Sequence, residues 1–384
     1  MNLLSIKCVC LLFVVQSGCA SIWIPRHGPL CDQGNIYSGA TSPTGSVVAV
    51  VGRYGRSSYG RLSIYNTKTG REIGSRLWPP GRFLNVTFDP SGTMLAASDR
   101  AGNMTLWQLR ESAKSEKNRL SLVARWATCK ASAFGPPDWI MPTYDLAFSP
   151  DGSLLALACT DPVVRLFDVA TRKIVAALHG HESPISAVAF SHDGLRLASA
   201  GSTDGTVNIW DVERRTLLLS LRRGVADVTD VAFPPNANWV VVSYGARFFS
   251  FSPQPSLTME YPDEQVRIWD AASGKLIRSF RVGGDRVNSV SLSPDGQRIA
   301  AGYFKDLIGH LFDDSSPGIV VLIDAVPEAH EPSFTRFNPF NEVGNAVRAA
   351  DISKHAQDGL IGSAMQRSVK GSNGGSGSRI RVGS

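Results

Sequence analysis

The chain has 384 residues, 43% of them hydrophobic, with 36 glycines and 22 prolines. A composition this apolar and this rich in turn formers suits many short strands and argues against disorder. The formal net charge of +6 is dispersed, with basic runs no longer than pairs such as Arg214-Arg215 and Arg222-Arg223, so nothing supports nucleic-acid binding, although the excess would suit an anionic partner or membrane surface.

The first twenty residues, MNLLSIKCVCLLFVVQSGCA, place Lys7 before the apolar run CVCLLFVV. That run is too short to span a bilayer and is followed by small residues, as in a secretory signal. Two cleavage readings stay open. Gln16-Ser17-Gly18-Cys19 is similar to a bacterial lipobox with Gln in place of the usual Leu, which would make Cys19 the lipidated residue of a membrane-anchored lipoprotein. Gly18-Cys19-Ala20 also suits an ordinary signal peptidase. The alternative is an uncleaved apolar start on a cytoplasmic protein. Of the remaining cysteines, Cys31 and Cys129 fall in connections between neighbouring units and could form a disulfide, whereas Cys159, in LLALACT, reads as a buried thiol.

Further along, short alternating runs are separated by tight turns. The clearest stretch is SPISAVAFSHDGLRLASAGSTDGTVNIWD (183–211), three strands joined by His-Asp-Gly and Thr-Asp-Gly. SPDG recurs at 149–152 and 293–296, with SPTG at 42–45 and DPSG at 89–92. Pro presets φ at the second turn position and Gly accepts a positive φ, so these are hairpin turns. Third strands end at Tyr65-Asn66, Trp107-Gln108, Phe167-Asp168, Trp210-Asp211, Trp269-Asp270 and Ile323-Asp324, at intervals of 42, 60, 43, 59 and 54 residues. A minimum near 42 with large additions indicates one repeated unit carrying insertions.

On these residues the chain resembles the WD-repeat family, whose unit is a four-stranded propeller blade. The resemblance implies an all-β fold, a seven-bladed β-propeller forming one domain over 19–384 after a signal peptide at 1–18. Expected blades lie near 34–78, 83–127, 143–180, 183–222, 227–281, 286–334 and 346–384. The last unit, VRAADISKHAQDGLIGSA (347–364) with SRIRVGS (378–384), lacks an outermost strand. SIWIP (21–25) is expected to supply it and close the ring. Residues 365–378, rich in Gly and Ser, read as a flexible loop between the last two strands.

The fourth unit matches the family's structural hydrogen-bond tetrad: Asp204 in a turn, His181 before the first strand, Ser199 in the second and Trp210 in the third. A buried indole N–H needs an acceptor, and a Ser–His–Asp relay supplies one. With Trp210 occupying the serine and no nucleophile elbow, the set reads as structural rather than hydrolytic. The fifth and sixth units lack the histidine and are expected to rely on packing. No other constellation suggests catalysis, a metal or a cofactor: the histidines are dispersed and no Cys-x-x-Cys occurs.

Strand order places second-to-third and outermost-to-innermost connections on one rim. The long stretches 245–262, 303–316 and 127–143, with 53–60 and 365–378, all belong there, and the opposite rim is expected to keep minimal turns. A rigid frame presenting loops on one face suits recognition. Phe248, Phe249, Phe251, Met259 and Tyr261 from the fifth unit, with Phe304, Leu307 and Phe312 from the sixth, are the candidate partner-binding residues, since aromatics and Met anchor interfaces. The same loops could instead fold together over the channel. The expected function is a non-enzymatic protein-interaction scaffold in the cell envelope, a monomeric propeller anchored by lipid. The alternatives are an exported propeller that binds or converts a small molecule in its axial channel, and a cytosolic scaffold.

Overall fold

The computed structural model describes residues 36–53, 59–78, 83–99, 102–110, 119–127, 145–222, 227–235, 237–245, 265–282, 286–293, 295–304, 318–325 and 335–337. The chain divides into two units, 1–336 and 337–384. Everything below concerns the first, apart from Phe337, which ends the last described strand and is the one described residue of the second.

Strands follow one another as six sets of four. The first sheet is β1 (Ile36–Thr41), β2 (Val47–Arg53), β3 (Gly60–Asn66) and β4 (Glu72–Trp78), and the second is β5 (Phe83–Phe88), β6 (Met94–Asp99), β7 (Asn103–Leu109) and β8 (Leu120–Ala127). The third is β9 (Leu146–Phe148), β10 (Leu154–Leu157), β11 (Val163–Asp168) and β12 (Lys173–His179); the fourth is β13 (Ile185–Phe190), β14 (Arg196–Gly201), β15 (Thr206–Asp211) and β16 (Thr216–Arg222). The fifth is β17 (Asp227–Ala232), β18 (Trp239–Gly245), β19 (Val266–Asp270) and β20 (Leu276–Phe280), and the sixth is β21 (Arg286–Leu292), β22 (Arg298–Phe304), β23 (Gly318–Asp324) and β24 (Thr335–Phe337). Each sheet is an antiparallel meander in chain order, and one pairing, Gly245 with Arg286, joins the fifth to the sixth. β24 begins just past residue 334, where the sixth unit was expected to end.

First strands of successive sheets lie side by side: β1 with β5, β5 with β9, β9 with β13, β13 with β17 and β17 with β21. They are therefore the inner strands. Fourth strands such as β12 and β16 are mostly exposed, with Ile174, Leu217 and Leu218 about half accessible, and form the outer wall.

Apolar runs such as Leu154–Leu157 and Val240–Val242 break the alternation of a half-buried strand because both faces are covered. Leu155 and Leu157 pack toward the second sheet with Ala96, Met104 and Leu106, whereas Ala156 and Ala158 pack toward the fourth with Ile185, Val188 and Leu197. Val240 and Val242 likewise meet the fourth sheet and Val241 the sixth. The core is thus a series of layers between neighbours.

The turns between first and second strands share one construction. Gly152 donates its N–H to the Ser149 carbonyl, at φ +73°, and Ser149 Oγ donates to Asp151 Oδ1 at 2.5 Å. Ser191-Asp193-Gly194 and Ser293-Asp295-Gly296 repeat it. The turns also touch one another: a Cβ on Gly92 would lie 3.2 Å from Pro43 Cδ, one on Gly152 3.4 Å from Pro90, one on Gly194 3.5 Å from Pro150 and one on Gly296 3.3 Å from Pro235. Each proline rests on the glycine of the following turn. His192 replaces the proline in the fourth turn, and Ala237 replaces the glycine in the fifth.

Two expectations need correction. Residues 110–119, between β7 and β8, and 325–334, between β23 and β24, are long connections on the rim expected to hold only minimal turns. They were overlooked because a spacing between third-strand ends does not say which junction holds the extra residues. Cys159, expected as a free thiol, is disulfide-bonded. It is fully buried beside Met104 and Leu106 of the second sheet. Strand position reports such burial but not a cross-link. Its partner cysteine lies outside the described residues, as do Cys31 and Cys129.

Candidate functional site

The fourth sheet brings His181, Ser199, Asp204 and Trp210 together. Trp210 Nε1–H donates to Ser199 Oγ at 2.8 Å, Ser199 Oγ lies 2.8 Å from His181 Nε2, and His181 Nδ1 lies 3.2 Å from Asp204 Oδ2. The network assigns the Ser199 proton to His181 Nε2 and the His181 proton to Nδ1, facing the carboxylate. Burial raises the Asp204 carboxyl, but hydrogen bonds from His181 and Thr206 outweigh it and hold the group well below the usual carboxylate range. Gly201 is required beside it, because a Cβ there would overlap the Asp204 carboxylate. Every oxygen and nitrogen of the relay is engaged, and Ser199 is fully buried. The arrangement locks β13–β16 and offers no free nucleophile.

Other sheets solve the same problem differently. In the second, Trp107 Nε1–H donates to Thr105 Oγ1 at 2.9 Å, which donates to the Ala97 carbonyl at 3.1 Å. In the third, Phe167 needs no acceptor. In the fifth, Val242 stands in the register of Ser199, and Trp269 Nε1 is buried without a partner.

The inner strands carry a second polar set that no sequence motif announced. Ser38, Asn85, Asp145, Ala187, Asp230 and Ser289 each lie four residues before the start of the following turn, and all but Asp145 sit at a register shift in their first strand. Ser38 Oγ donates to Asn85 Oδ1 at 2.7 Å, and Asn85 Nδ2 donates to Asp145 Oδ1 at 2.6 Å. Asp145 also accepts from Leu146 N on its own strand and Val188 N in the fourth sheet, both at 2.9 Å. Asp230 accepts from Val231 N at 2.8 Å and, in the sixth sheet, from Ser289 Oγ at 2.8 Å and Val290 N at 2.9 Å.

Asn85, Asp145 and Asp230 thus each accept from the following N–H of their own strand and reach the next sheet. Both carboxylates keep some accessible surface yet lie deep in the protein. Desolvation pushes Asp145 up to about 6 against three N–H bonds. It pushes Asp230 up to about 7, with the Asp145 charge adding to the rise. The signal was present in the sequence as a polar residue at one fixed offset inside an apolar strand. Among the described residues, no group of three or more His, Cys, Asp or Glu could hold a metal ion.

The loop candidates are only partly placed. Phe304 ends β22, so its backbone lies on the rim from which 305–317 departs. Phe248, Phe249, Phe251, Met259, Tyr261, Leu307 and Phe312 lie outside the described residues, as does Cys19. β18 ends at Gly245 and β19 begins at Val266, so the intervening chain leaves and rejoins the same rim in the neighbouring sheet.

The family model "WD domain, G-beta repeat" matches residues 129–168, 172–211 and 274–309. The chain carries WD40 repeats. The best-formed of these is the fourth sheet, whose third strand ends in Trp210-Asp211. The Asp of the pair fixes the turn into the outer strand. Asp211 Oδ1 accepts from Arg214 N, and Asp168 and Asp270 accept in the same way from Thr171 N and Ser273 N.

TBC1 domain family member 31 of Oryzias latipes is 26% identical over 73% of this chain and 23% of its own length. The Mus musculus protein of that name is 32% identical over 42% of this chain and 14% of its own. An uncharacterised WD repeat-containing protein of Synechocystis sp. is 29% identical over 41% of this chain and 40% of its own. The chain thus spans less than a quarter of the two vertebrate relatives. Among solved structures, a chain of the mitotic checkpoint complex matches with a TM-score of 0.55 at 18% identity, over 69% of this chain and 73% of that one. That likeness concerns the fold.

Proposed function

We propose that the chain is a non-enzymatic interaction scaffold, exported and held at a membrane by lipid on Cys19, whose protein partner binds the rim carrying the long second-to-third-strand connections. WD-repeat proteins generally act as interaction scaffolds, and the coarser part of the reading rests on the WD40 repeats. What supports the finer part is which connections carry the aromatics in the sequence. Residues 246–265 hold Phe248, Phe249, Phe251 and Tyr261 and leave the fifth sheet from the same rim as 305–317 of the sixth. On the opposite rim, RESAKSEKNR (110–119) has no aromatic residue and 325–334 has one. Interface anchors are concentrated on the first rim.

Export is supported by two independent features, the apolar N-terminal segment and the disulfide at Cys159, since disulfides persist in oxidising compartments. Closure by a seventh sheet from 347–384, with SIWIP as its outer strand, belongs to the same reading and rests on the repeat pattern of the sequence.

Replacing Phe248, Phe249 and Phe251 together by Ser tests the rim. We expect loss of partner cross-linking in solubilised membranes with an unchanged melting temperature, since anchor side chains contribute about 2 kcal/mol each to binding. Retained cross-linking with a lower melting temperature would assign the loop to the fold. A small ligand in the axial channel is the second reading, favoured by the convergence of Asp145 and Asp230. It is weaker because both oxygens of each carboxylate already accept protein hydrogen bonds.

A further inference from the structure

From the bridging of successive sheets by two inner-strand carboxylates that no cation offsets among the described residues, we infer that Asp145 and Asp230 act as a proton-responsive clamp, stabilising the packing of the sheets as the medium acidifies. Asp145 receives Asn85 from the second sheet and Val188 N from the fourth, so three sheets meet at one carboxyl. Asp230 ties the fifth sheet to the sixth through Ser289 and Val290. The intervening fourth sheet has Ala187 at the matching position, and Asp145 raises the cost of ionising Asp230.

Among the described residues no basic group answers either charge. On the described inner strands the other ionisable residues are Tyr37, Asp227 and Arg286, within the first two positions of β1, β17 and β21. The second strands packed behind them contribute Arg53, Asp99, Arg196, Tyr244, Arg298 and Tyr303, at or next to strand ends. None of these cations is a cause of the shift at Asp145 or Asp230. The acid form of each side chain keeps its more heavily used oxygen as an acceptor: Oδ1 of Asp145 takes Asn85 and Leu146 N, and Oδ2 of Asp230 takes Ser289 and Val290 N. A proton on the other oxygen removes a desolvated charge at the cost of weakening one bond, the one from Val188 N at Asp145 and the one from Val231 N, within its own strand, at Asp230.

The sign follows from linkage. Both carboxyls bind protons more tightly folded than unfolded, where Asp titrates near pH 4. Their contribution to stability is therefore fully present below pH 4 and is lost as pH rises through about 6 for Asp145 and about 7 for Asp230. The clamp is independent of whether the insertion-bearing rim binds a partner.

The test is equilibrium unfolding of the full chain between pH 5 and 8. For the wild type the unfolding constant should rise by at least about tenfold across this range. Asp145→Asn with Asp230→Asn should flatten the profile, and a variant profile parallel to wild type would overturn the proposal. Should the double variant fail to fold, a carbon-13 NMR titration of the wild-type aspartates decides. Two carboxyls titrating above pH 5 are expected, and all titrating below pH 5 would overturn the clamp.

Discussion

Ser199 has one oxygen, and two other side chains depend on it. It accepts from the Trp210 indole and faces His181, so Ser199→Ala leaves two buried polar groups unsatisfied at once. At about 1–3 kcal/mol per orphaned group, we expect the variant to lose about 2–4 kcal/mol in denaturant unfolding, with Ser199→Thr recovering part of it. The relay also has a pH signature opposite to that of the inner carboxylates. Asp204 is held below its unfolded value, so its contribution is present above about pH 4 and disappears as pH falls below that. His181, Ser199, Asp204 and Trp210 could be found from the sequence because a tetrad has fixed offsets from a recognisable turn. Trp269 looked equivalent to Trp210, but the residue that leaves its indole unpaired, Val242, is an ordinary strand former and attracts no notice.

Turns were the most legible elements and, in one respect, the least. Ser-Pro-Asp-Gly declares a local hydrogen-bond pattern, and Ser149, Asp151 and Gly152 form it. What four residues cannot declare is that Gly152 also bears on Pro90 of the previous sheet. Gly152→Ala therefore meets its penalty in the backbone, a side chain at φ +73°, since its Cβ would only touch Pro90 at ordinary contact distance. We expect a loss of about 1–2 kcal/mol from the backbone alone, measured as a lower melting temperature, whereas Ala237→Gly in the fifth turn should change stability little. Strand existence was legible from period and punctuation. The register shifts in the inner strands, such as that between Val228 and Asp230, were not. They depend on how the strand turns a side chain toward its neighbour sheet, and a period of two does not encode that.

At the scale of the whole chain, the repeat interval revealed that strands recur in sets of four, but the disulfide at Cys159 and the long 110–119 connection were hidden. A cross-link has no local pattern, and an interval between third strands does not say which junction within a unit holds the extra residues. The expected ring closure makes a direct prediction. Deleting residues 21–25 should lower the melting temperature markedly and expose a sheet edge, detectable as concentration-dependent association; a deletion that melts like the parent would remove SIWIP from the ring. The prolines and glycines of the turn rim add a consequence for descent. The third repeat carries both halves of a joint, Gly152 to receive and Pro150 to give, so a tandem copy of it could stack upon itself. The fourth receives with Gly194 but gives only His192, and the fifth gives with Pro235 but offers Ala237 where others offer glycine. The joint of proline on glycine is thus missing between those two repeats, so a tandem copy of either one would carry the missing half into its new junction.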